Sequence, residues 1–146
     1  MPTPPMDERF SAALHTTARI WKVGLDRRLK FLGLSQAGWM AIAMTAKSAT
    51  PMSQTELANA VGVEAPTMVP MLDRLVRDGL VERQPSPTDR RIKLVALTDA
   101  GRALYDKLRA EANAYRKDVL AGIDAAELKQ ATLLLEKLRD TLEAAL

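Results

Sequence analysis

The sequence predicts a mainly α chain with one small β hairpin, and three features predict it. Apolar residues recur three or four apart through long stretches at both ends of the chain. Between them, Ser53 to Arg77 carries two short helical patterns separated by Gly62, with Leu57, Ala58 and Val61 on a face of the first and Met68, Met71, Leu72, Leu75 and Val76 on a face of the second. After Gly79 come two brief apolar or β-branched runs, Leu80-Val81 and Ile92 to Leu97, too short for helices and separated by Pro85, Ser86, Pro87, Thr88 and Asp89. Two small helices with one apolar face each cannot stand alone. Packed on each other they make a helix-turn-helix, and the hairpin with its protruding loop makes a wing.

Taken in order, Met1 to Met6 is Pro-rich and reads as a tail ordered only by contact. A long helix begins near Asp7: Phe10, Leu14, Ala18, Trp21, Leu25, Leu29 and Leu32 form its stripe, Asp26, Arg27 and Lys30 fall on other faces, and Gly33 stops it. Ser35 caps a helix containing Trp39, Ile42 and Ala43, which ends before the Ser48 to Pro51 loop. Ser53 with Glu56 is a capping box for the first helix of the motif. Glu64 to Arg77 is the second. Pro66 fits its first turn, where the missing N–H costs nothing, whereas Pro70, one turn further, can clash with the Pro66 carbonyl and bend the axis.

Beyond the wing, Thr98 caps a helix from Asp99 to about Leu120, striped by Leu104, Leu108, Ala112, Tyr115 and Val119. Gly122 breaks it. Asp124 with Glu127 opens a last helix lined by Leu128, Ala131, Leu134 or Leu135, Leu138, Leu142 and Ala145. The central motif needs little of this terminal helix length for its own core. Long stripes at both ends of a small chain are what an intertwined helical dimer requires. The organisation expected is therefore a single domain over 1–146, with 7–32 and 99–146 as dimerisation helices around a winged helix-turn-helix at 35–98.

The chain has 146 residues, one domain's worth, and a net charge of only +3. Residues 1–52, 53–98 and 99–146 carry +4, 0 and −1, so a DNA face would be a patch rather than a property of the whole domain. From Arg83 to Lys93 the wing carries Arg83, Arg90, Arg91 and Lys93 against Asp89 alone, and a basic hairpin directly after a helix-turn-helix points to DNA. Thr67 and Met68 are then placed to touch base edges and Arg74 to reach phosphate, while Arg77 is either a second phosphate contact or ordinary helix surface.

Other classes fare badly. There is no cysteine and one histidine, His15, which leaves no thiolate metal site or redox switch, and the carboxylates form no EF-hand. No glycine-rich loop cradles a phosphate. No cofactor and no enzymatic activity are expected. No apolar run reaches the roughly 18 residues needed to span a bilayer, and MPTPPMDERF is too polar and acidic for a signal peptide, so a cytoplasmic protein of a bacterium or archaeon is expected.

The LDRLVRDGLVER run of Leu72 to Arg83, the DRR of Asp89 to Arg91 and the LTDAGR of Leu97 to Arg102 together resemble the MarR family of winged helix-turn-helix transcriptional regulators. The RIWK of Arg19 to Lys22 and the Trp39 helix resemble its SlyA-like branch. The resemblance covers nearly the whole chain. It implies a homodimer built from the first, fifth and sixth helices, reading an inverted-repeat operator in double-stranded DNA. The DNA-facing set is then Ser53, Gln54, Pro66, Thr67, Met68, Pro70, Met71, Arg74, Arg90 and Arg91, with Arg91 foremost for the minor groove.

By the same resemblance Asp73 and Asp89 hold the wing arginines. Pro70 stands where SlyA-like proteins usually place arginine. The alternative reading is therefore an interaction module that keeps the fold without operator recognition. The resemblance also implies a crevice for a small aromatic carboxylate or phenolic effector, with His15, Arg19, Trp21 and Trp39 as candidates; an aromatic floor beside a cation suits a benzoate-like anion.

Overall fold

The computed structural model describes residues 1–146. Two compact units divide the chain, one over 1–113 and one over 114–146.

The first helix, α1, runs Met6–Arg28, with Asp7 and Glu8 in its first turn and Arg27 and Arg28 in its last, each sign set to complement the helix dipole. It ends four residues earlier than the periodicity predicts: the last turn, Lys30–Leu32, is 3-10, and Gly33 turns the chain at φ 71°. No side chain of α1 is fully buried. Helix α2 spans Gln36–Lys47, and the Ser35 hydroxyl accepts the Gly38 N–H at 3.1 Å. Helix α3, Gln54–Val61, is capped the same way by Ser53, which accepts from Glu56 N–H at 3.1 Å. Gly62, at φ 83°, closes it and sends the chain into α4, Ala65–Arg77.

The sheet has three strands in the order β1-β3-β2, all antiparallel: β1 is Met52–Ser53, β2 is Val81–Pro85 and β3 is Lys93–Leu97. Sequence reasoning missed β1, because two residues are too few to show a period. It also placed Pro85 in the loop, whereas Pro85 ends β2 opposite Lys93. A proline is tolerated there because β2 lies at the sheet edge, where its missing N–H breaks no ladder.

Leu29, Ile42, Leu57, Met68, Leu72, Leu75 and Val95 are the largest of the fully buried side chains in the core. Thr98 joins the wing to α5, Asp99–Leu120. Its N–H bonds the Leu80 carbonyl, its hydroxyl donates to Gly79 and accepts from Gly101 N–H. Gly101 lies so near β2 that a Cβ would fall 2.0 Å from the Leu80 carbonyl oxygen, which is why the LTDAGR run needs glycine there. Arg28 and Glu111 pair at 3.2 Å.

In the second unit, Asp124 accepts from Ala126 and Glu127 N–H and starts α6, Ala125–Ala145. No α6 side chain is fully buried. No helix of the chain is long and apolar enough to cross a membrane.

Candidate nucleic-acid interface

Helix α4 is strongly two-faced. Met68, Leu72 and Leu75 point into the core, while Pro66, Thr67, Val69, Pro70, Asp73, Arg74 and Arg77 are exposed. This corrects the expectation for Met68: at 0% exposure it packs the core and offers nothing to a base. Its neighbour Thr67 stays on the outer face. Met71 is half-buried and lines, with Arg74, a narrow cleft against Gly33, Leu34, Ser35 and Gly38.

The helix continues through Pro70 to Arg77 without interruption. A proline inside a helix forfeits a hydrogen bond and costs about 3 kcal/mol. Burying three large apolar side chains at about 1.5–3 kcal/mol each outweighs that cost and holds the segment helical.

The wing tip is a folded loop. Ser86 N–H bonds the Ile92 carbonyl at 3.0 Å, and Ile92 N–H returns to Asp89 at 3.1 Å. Asp89 receives the Arg91 backbone N–H at 3.0 Å, its Nε at 3.2 Å and its Nη2 at 3.1 Å. The Arg91 side-chain bond, followed by the backbone one, holds the Asp89 carboxyl below the usual carboxylate range. Arg91 is nevertheless 90% exposed, and the fork leaves donors on its guanidinium unused. Arg90 is exposed as well.

Sequence reasoning counted Arg83 among the wing charges but gave it no role. From β2 its Nε donates to Gln54 of α3 at 2.6 Å, and its Nη2 pairs with Asp73 of α4 at 2.6 Å. Asp73 is thus joined to Arg83. The signal that would have found this is weak: an arginine two residues into an edge strand has no spacing relation to either partner. Beside this junction Ser53, Gln54, Thr55, Arg91, Ile92 and Lys93 line an open cleft of about 290 Å³.

Of the effector candidates, His15 and Arg19 lie one turn apart on exposed α1 surface and Trp21 is half-buried. Trp39 is 6% exposed within the core, and its indole N–H donates to Asp26 of α1 at 2.9 Å. The expectation of Trp39 as an open aromatic floor is therefore corrected, since both its face and its polar edge are occupied. A separate apolar cleft of about 420 Å³ lies among Phe31, Leu32, Ala100, Ala103, Leu104 and Lys107. No three His, Cys, Asp or Glu side chains converge as a metal site would need.

Two short helices, a glycine turn between them, a two-faced second helix and a basic hairpin define a winged helix-turn-helix. The model of the MarR family matches residues 40–93. Transcriptional regulator PA3341 is 41% identical over 92% of this chain and 98% of its own, with a TM-score of 0.85. Wild-type MarR of E. coli, in its apo form, is 25% identical over 94% of this chain and 98% of its own, at a TM-score of 0.78. CouR of Rhodococcus jostii RHA1, bound to p-coumaroyl-CoA, is 24% identical over 98% and 95%, at a TM-score of 0.76, and is alike in fold. The chain belongs to the MarR family of DNA-binding transcriptional regulators.

Proposed function

We propose that the chain works as a homodimer that recognises an inverted-repeat operator, with α4 in the major groove and the wing at the adjacent minor groove. The observation that carries this is continuity: the Arg83 junction and the cleft beside it join the exposed ridge of α4, the start of α3 and Arg91 and Lys93 into one polar surface. Ser53, Gln54, Pro66, Thr67, Pro70, Arg74, Arg90 and Arg91 are its contact candidates, with Met71 at the margin. One recognition helix reads only a few base pairs, so two related by a twofold axis are needed for a specific site. Exposed Met6, Phe10, Ile20 and Val23 on α1, and Leu133, Leu134, Leu135 and Leu142 on α6, supply apolar surface for the partner.

We assign the chain to the SlyA-like branch on its RIWK run and Trp39 helix, and place it in the cytoplasm, where its DNA is. A small aromatic carboxylate or phenolic compound releases the DNA in this reading; His15 and Arg19, exposed on α1, and Trp21 are the residues that support it, and CouR illustrates the fold with an aromatic acyl ligand. The competing reading, an interaction module without operator recognition, is favoured by Pro70, which cannot fork onto guanine or phosphate.

A fluorescence titration of the protein against DNA flanking its own gene, over a range of salt, separates the two. A salt-sensitive, sequence-preferring complex is expected. Absence of binding at low salt, or indifference to an inverted repeat, supports the interaction module. Repeating the titration with saturating salicylate or hydroxycinnamate tests release: coupling of about 1–3 kcal/mol lowers operator affinity about 5–150-fold. Ligand bound with unchanged operator affinity would refute the effector role.

A further inference from the structure

Gln54 and Asp73 each pose a chemical problem for a DNA-reading surface. Gln54 can present an acceptor oxygen or a donor NH2. Asp73 puts a carboxylate, 52% exposed, on the ridge of α4 that would face a polyanion. Both residues end on Arg83. A guanidinium carries donors only, so the Gln54 atom 2.6 Å from Nε is the carbonyl Oε1, and the amide nitrogen is the end left for another partner. The second arm meets Asp73 Oδ1 at 2.6 Å. Arg83 is itself 25% exposed and stands in β2 opposite the buried Val95, so the sheet sets its position.

We infer that Arg83 is a positioning residue for DNA recognition: it turns the Gln54 amide so that N–H donors alone face the DNA, and it cancels the Asp73 charge on the recognition ridge. The inference rests on the DNA reading above. It also accounts for Arg83 without a DNA contact of its own, because two of its donor groups are already committed between α3 and α4. A lysine in its place keeps the charge but cannot hold both partners at once.

The test uses the full-length protein. Wild type first selects a duplex from a random-sequence pool, and binding of that duplex and of a scrambled one is then followed against salt for Arg83→Gln, Arg83→Lys, Asp73→Asn and the double variant Asp73→Asn/Arg83→Gln. Arg83→Gln is expected to weaken the selected complex about 10–100-fold, since it strands a carboxylate and frees an amide. The double variant recovers part of that loss, with a salt slope equal to wild type. If Arg83 instead meets phosphate, the double variant shows no recovery and its slope is shallower by about 0.9, which overturns the inference.

Should Arg83→Gln not fold, Arg83→Lys decides: lost discrimination between the two duplexes is expected, and wild-type discrimination overturns the fork. In the unbound protein the Arg83 Nε–H resonance should move on Gln54→Ala, and an unmoved resonance contradicts the amide orientation. Failure of wild type to enrich any sequence refutes the DNA reading itself, and is visible before any variant is made.

Discussion

Single residues carry most of what is particular to this chain. Gly101 sits where a Cβ would lie 2.0 Å from the Leu80 carbonyl, so Gly101→Ala should displace α5 from the wing and cost about 1–3 kcal/mol, measured as a lower urea midpoint. An unchanged midpoint would mean that the backbone yields freely there. Asp89 gives a pH prediction. Its carboxyl is held below the usual range by Arg91, so the folded wing favours the ionised form. That contribution is fully present above the ordinary carboxylate pKa and is lost as pH falls through the lower, folded value. The Arg91 Nε–H resonance should therefore stay in its bonded position while exposed carboxylates titrate, and move only at more acidic pH; movement in step with those carboxylates would refute the clasp. At this scale the sequence was least legible. Local spacing places Asp89 beside Arg91, but Arg83 meets Gln54 and Asp73 only through tertiary packing, and Met68 and Met71 were told apart only by the rotation of α4.

At the scale of elements the sequence was far more legible, because helix ends are written in local chemistry. Ser35, Ser53, Thr98 and Asp124 each accept the backbone N–H bonds that a cap should, and Gly33, Gly62 and Gly79 turn the chain with positive φ. What local signals missed was set from outside the segment: β1 exists because β3 pairs with it, and Pro85 is a strand residue because β2 is an edge. Helix α4 offers the sharpest element-scale prediction. Pro70→Ala restores a donor toward the Pro66 carbonyl and should stabilise the protein by about 1–3 kcal/mol, read from the urea midpoint. No gain would mean that the helix has already relaxed around the proline. If proline also shapes the reading surface, Pro70→Arg should change the preferred DNA sequence rather than strengthen all complexes evenly.

The whole chain is organised so that its core serves the central motif while its terminal helices keep apolar surface exposed. Leu133, Leu134, Leu135 and Leu142 of α6 and Ile20 and Val23 of α1 are exposed, although α1 carries acidic residues in its first turn and basic ones in its last, and α6 is capped at its start by Asp124. That pattern was visible as stripes, yet a stripe does not say whether its partner is the same chain or another. In the proposed dimer that partner is a second copy, and a twofold dimer must in turn impose twofold symmetry on the DNA it selects. The most direct measurement is therefore selection from a random duplex pool at moderate salt, followed by sequencing of the enriched DNA. An inverted repeat is expected, with half-site centres about one helical turn, roughly 34–36 Å, apart. Enrichment of a site without twofold symmetry, or no enrichment at all, would contradict it.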